Sequence, residues 1–190
     1  MTNMTRFIAL VFLTLIAFFL GLAPIKADEP SKVFYYKEYG KWETVGQFFP
    51  REGYRLCTVR TEISSSQMFG IQIGVTNDLT PGAKTFAFVN NRWKLKKSPD
   101  EGGHYLEGTL VIKEFDGKTS GMQIEYGASS PNVALIYIKD MSLIMDGIKG
   151  TKTLSFAPED GRMAVTADLE GLIPALETTM VECLKEALEK

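Results

Sequence analysis

Residues 54–76 read YRLCTVRTEISSSQMFGIQIGVT, and their alternation decides the fold class. From Tyr54 to Ile63, Leu56, Thr58 and Arg60 fall on one face of an extended chain, with Cys57 and Val59 on the other. From Met68 to Thr76, Phe69, Ile71, Ile73 and Val75 share a face. A period of two is what a half-buried strand requires, because successive side chains point to opposite sides of a sheet. These two segments predict two half-buried strands, with Cys57 and Val59 on the opposite face of the first from Leu56, Thr58 and Arg60.

Outward from that pair the pattern repeats. Val33 to Val45 reads as extended structure interrupted by Gly40, and Gly46 to Gly53 as a loop containing Pro50. Asn77 to Gly82 is dense in turn residues. Lys84–Asn90, Arg92–Lys96, Tyr105–Lys113, Gly121–Tyr126 and Val133–Ile138 read as short strands. Phe115-Asp116-Gly117-Lys118 reads as a hairpin turn, since Asp-Gly tolerates the positive φ that such turns need. Asp140 is expected to cap a short helix over Met141–Asp146, ended by Gly147. Thr151–Ala157 and Arg162–Ala167 flank a Pro158–Gly161 turn as another hairpin.

The end of the chain changes period. Ile173, Leu176, Met180, Cys183, Leu184 and Ala187 recur at three and four, with Glu177, Glu182, Lys185, Glu186 and Glu189 largely between them. That is an amphipathic helix. The fold class is therefore mainly β or α+β: an antiparallel β-sandwich or curved sheet with a C-terminal helix packed on it.

The N-terminus carries a different signal. Thr5-Arg6 precedes an apolar run from Phe7 to Ala23, and the chain turns polar at Lys26. Residues 1–27 read as a signal peptide cleaved after Ala27, with a retained anchor as the alternative. Residues 28–190 then form a single β-rich domain of about 163 residues, large enough for a real core. The expected location is periplasmic or secreted, in a bacterium. Without Arg6 and Lys26 the net charge moves from −2 to about −4, which makes nucleic acid an unsuitable partner. Cys57 and Cys183 are the only cysteines, and an oxidising compartment predicts that they pair. The bridge would close a loop of about 127 residues.

Candidate chemistry is sparse. The single histidine, His104, lies beside a turn, and no GxSxG elbow is present. Zinc-type ligation lacks histidines and a CxxC spacing, so neither metal nor cofactor is expected. Asp100-Glu101, Asp116, Asp140, Asp146 and Asp168–Glu170 are carboxylates with plainer roles as turn residues, caps or solvated surface. The aromatic stretch Phe34-Tyr35-Tyr36, Tyr39, Trp42 and Phe48-Phe49 is the most suggestive patch. Phe48 and Phe49, placed in the expected loop, and Trp93, between Arg92 and Lys94, are the candidate partner contacts, because aromatic rings dominate binding hot spots.

The layout resembles a known family. Gly40-Lys41-Trp42, Leu56-Cys57-Thr58-Val59, Phe156, Ala167-Asp168-Leu169-Glu170-Gly171, Ala175-Leu176 and a helix carrying Cys183 resemble the invasion-associated locus B family of exported bacterial proteins. The resemblance implies a small envelope β-domain in which Trp42, Cys57 and Cys183 are structural, and it carries no catalytic residues. Function belongs to a site rather than to a fold. The expected role is a non-enzymatic binding or accessory protein acting on a protein or envelope partner. The alternative is a carrier of a small apolar ligand or lipid, and a carboxylate-based hydrolase comes third.

Overall fold

The inner-face residues of strand after strand are apolar, and the structure joins those faces into one surface. The computed structural model describes residues 31–75, 81–95, 106–139, 146–159 and 163–189. They belong to one unit, Ser31–Lys190. The leader, His104, Asp100-Glu101, Asp140 and the expected helix start at Met141 lie outside the described residues.

Among the described residues ten strands form an antiparallel sheet: β1 (Lys32–Tyr39), β2 (Trp42–Phe49), β3 (Tyr54–Ser64), β4 (Gln67–Val75), β5 (Pro81–Asn90), β6 (Leu106–Glu114), β7 (Thr119–Ser130), β8 (Val133–Tyr137), β9 (Thr151–Pro158) and β10 (Val165–Asp168). Their order is β1-β2-β3-β4-β5-β8-β7-β6-β9-β10. β7 serves two partners. Its first half, to Tyr126, pairs with β6, and Gly127–Ser130 pairs with β8. A strand shared in this way turns the sheet back on itself, so β10 comes to lie against β4 and β5. The sheet is curved and not closed into a barrel, as the sequence predicts for a curved sheet with a helix packed on it.

Register aligns the inner face. Val59 stands opposite Ile71, Cys57 opposite Ile73, Phe69 opposite Phe88, Leu110 opposite Phe156 and Phe156 opposite Val165. Cys57, Val59, Phe69, Ile71, Phe88, Phe156 and Val165 are all fully buried. Phe156 is the hub. Its ring lies 5.2 Å from Phe88, 5.1 Å from Tyr126 and 5.8 Å from Trp93, the last two edge-on. The ring needs the space above Gly108, where a Cβ would stand 2.6 Å from it. Gly108→Ala is therefore expected to destabilise by roughly 1–3 kcal/mol through overpacking, measured by urea unfolding.

The C-terminal helix begins after Gly171, whose positive φ of 79° suits glycine, and runs as α1 (Leu172–Ala175), a π segment (Leu176–Met180) and α2 (Val181–Glu189). Leu172, Ala175, Leu176, Met180, Cys183 and Ala187 are its buried stripe. Thr178 and Thr179 hydroxyls donate to the carbonyls of Pro174 (2.6 Å) and Ala175 (2.7 Å) within the π segment. A hydroxyl has one proton to give, so Thr179 accepts from the buried Thr44 of β2. The Cys57–Cys183 disulfide, with Cα atoms 6.0 Å apart, fastens the helix to β3. Lys37 of β1 reaches Glu182 at 2.8 Å, and Tyr35 donates to the same carboxylate at 2.8 Å. No helix among the described residues is long and apolar enough to cross a membrane.

Three expectations change. Gly46 is not the start of a loop. It sits within β2, and the Phe34 ring fills the space its missing Cβ leaves, at 2.7 Å. Glycine inside a strand marks a close approach here rather than a break. Arg92–Lys96 is not a strand in its described part: residues 91–92 turn and 93–95 are irregular. Gly147 does not end a helix, because a helical turn spans residues 146–149.

Candidate functional site

Each residue singled out in the sequence has a definite place. Cys57 and Cys183 form the disulfide. Trp42 is buried at the start of β2, and its indole N–H donates to the Glu170 carbonyl at 2.8 Å, holding the entry to α1. Lys41, beside it, pairs with Asp168 at 2.9 Å, which holds the Asp168 carboxyl below the usual carboxylate range.

Trp93 leaves the set of partner contacts. It is only 5% exposed, packs edge-on against Phe156, and donates its indole N–H to the Met163 carbonyl at 3.0 Å. A polar handle satisfied inside the core makes it a core residue. Phe48 and Phe49 are half-buried at the end of β2 rather than in a loop. Each is covered by its cross-strand partner: Arg55 lies 5.1 Å from the Phe48 ring, and Phe49 stacks on Tyr54 at 4.7 Å. β1 carries more exposed side chains than these, with Val33 61% and Tyr36 55% exposed. Tyr36 donates to Glu38 (2.7 Å), and that hydrogen bond leads the causes that push its hydroxyl up to about 12.

A mainly apolar cavity lies elsewhere. On the inner face, β6 continues the alternation Leu110, Ile112, Glu114, and β7 enters with Ser120 and Met122. Together with Phe86 of β5, Leu154 of β9, Leu169, and Gly147 and Ile148 of the 146–149 turn, they enclose a cavity of about 320 Å³, partly open to solvent. Local sequence explains the gap. Gly117, with φ of 89°, turns β6 into β7, so both strands run on past the core toward the hairpin tip. Leu110, Leu154 and Leu169 are buried at its floor, whereas Met122 is 45% exposed at its mouth. At water's share of about 30 Å³, the cavity takes roughly ten heavy atoms. It sits at the small end of ligand sites, which begin near 300 Å³.

Sequence reading assigned these strands but did not single out the cavity. One signal was available: Glu114 continues an apolar alternation, placing a carboxylate on an inner face. Among the described residues no group of three or more His, Cys, Asp or Glu is placed to hold a metal ion. Every buried side-chain N or O atom among them has a hydrogen-bond partner.

No family model, no curated protein and no solved structure matches this chain.

Proposed function

We propose that this is a non-enzymatic exported binding protein whose ligand is a small apolar molecule held in the cavity between β6, β7 and the 146–149 turn. The supporting observation is the cavity itself. Its lining is dominated by Leu110, Ile112, Met122, Ile148, Leu154 and Phe86, with few polar groups, which is the composition of small-molecule sites. The floor is held by a disulfide-braced core, so the pocket exists before ligand arrives and binding carries little ordering cost. An exported chain with the leader read above would meet such ligands in the periplasm or outside the cell.

Met122→Trp tests this reading. The side chain stands at the mouth and is partly exposed, so a larger ring there fills the opening without entering the core. Calorimetric titration with octan-1-ol, whose size suits the cavity, should give saturable binding to the native protein. The variant should lose it by more than about tenfold, which is 1.4 kcal/mol. Equal binding by both proteins would move the site away from the cavity.

A second reading, contact with a protein partner, is favoured by the exposed Val33 and Tyr36 on β1, which pairs only with β2 among the described strands. An open strand side and exposed rings suit strand addition. Cross-links from an envelope extract that map to β1 would favour it over the carrier reading.

A further inference from the structure

We infer that the cavity selects amphiphiles whose head group is cationic, a primary ammonium on a short apolar chain, over those with a carboxylate; this rests on the carrier reading above. Thr151 of β9, in the lining, donates its hydroxyl to the Gly147 carbonyl at 2.8 Å, and the lining's other polar side chains are Glu114 of β6 and Ser120 of β7. They come from neighbouring paired strands next to the hairpin that closes this end, and the Glu114 backbone N–H donates to the Lys118 carbonyl across it at 2.9 Å.

Among the described residues no lysine or arginine lines the cavity. Three nearby lysines are engaged elsewhere. Lys118 pairs with Asp116 at 2.7 Å, Lys149 lies 3.5 Å from Asp146, and Lys152 acts on Asp168. The pocket thus offers one carboxylate, two hydroxyls and, among the described residues, no compensating cation. A ligand ammonium gains a charge-assisted hydrogen bond to Glu114 while its chain occupies the apolar part. A ligand carboxylate meets a like charge across a wall of low dielectric. An alcohol falls between them, since it can donate to Glu114 without carrying charge.

The test is calorimetric titration of octylammonium, octan-1-ol and octanoate, matched in chain length, into the native protein, Glu114→Gln and Glu114→Lys at neutral pH. The expected order for the native protein is octylammonium, then octanol, then octanoate, with about tenfold or more between the first and last. Glu114→Gln should bring the two charged ligands to within about threefold, and Glu114→Lys should reverse their order. Octanol affinity should change little in the Gln variant, which checks that the cavity is intact. Equal binding of all three ligands by the native protein, or tightest binding of octanoate, would overturn the head-group inference and leave the cavity reading standing. Binding of none would overturn the cavity reading itself.

Discussion

Replacing both cysteines with alanine is expected to lower the free energy of unfolding by about 3–5 kcal/mol while leaving the far-ultraviolet circular dichroism unchanged. The bridge joins β3 to α2 across a sequence separation of 126 residues. Cross-linking so long a loop removes much of the unfolded chain's freedom, and the chain-entropy relation gives about 5 kcal/mol as the ceiling. The native fold should survive, because the helix has other anchors. Leu172, Leu176, Met180 and Ala187 stay buried, Thr44 still meets Thr179, and Lys37 still pairs with Glu182. For a chain of this size the loss corresponds to a fall in Tm of roughly 10 °C. Urea unfolding of oxidised protein against the Cys57→Ala/Cys183→Ala variant measures it. A cost below about 1 kcal/mol would mean that the ends of the unfolded chain already meet without the bridge.

Phe156→Ala is expected to cost about as much, roughly 3–5 kcal/mol, through lost burial and a cavity rather than through the unfolded chain's freedom. The ring is fully buried and touches three aromatic partners contributed by β5, β7 and the segment after β5. Removing it strips the Phe88, Trp93 and Tyr126 rings of contact at once. Gly108, which has no side chain to fill the void, lies directly beside it. The comparison is Phe115→Ala. Phe115 occupies the hairpin tip and is 65% exposed, so its loss should fall within about 0.5 kcal/mol of zero. The difference between the two variants, read from urea midpoints at constant m, isolates the core contribution.

The alternation over residues 54–76 carried most of the sheet. It set Cys57 and Val59 on one face and Phe69, Ile71, Ile73 and Val75 on another, and the structure buries both sets and pairs them. The switch of period after Gly171 carried the helix, and an even pair of cysteines behind an apparent leader carried the expectation of the bridge. What local pattern could not carry was contact between distant segments. Arg92-Trp93-Lys94 has the composition of an exposed aromatic–basic element, yet the indole is drawn inward by a carbonyl at Met163, seventy residues on. Gly46 has the composition of a turn, yet the Phe34 ring of the neighbouring strand occupies its face. The cavity was hidden for a different reason. Leu110, Ile112, Met122 and Leu154 each fall in segments that read as strands, as they are. Whether four such residues meet or leave a space depends on how far β6 and β7 extend beyond the core, which is a matter of volume and not of periodicity.

The disulfide and the Phe156 cluster concern the frame, whereas the cavity concerns the proposed function. The most direct measurement is calorimetric titration of octan-1-ol into the native protein beside Met122→Trp. Saturable one-to-one binding to the native protein, lost in the variant with its unfolding midpoint preserved, is the result expected of a carrier. No binding to the native protein, or binding that survives the filled mouth, would contradict the account.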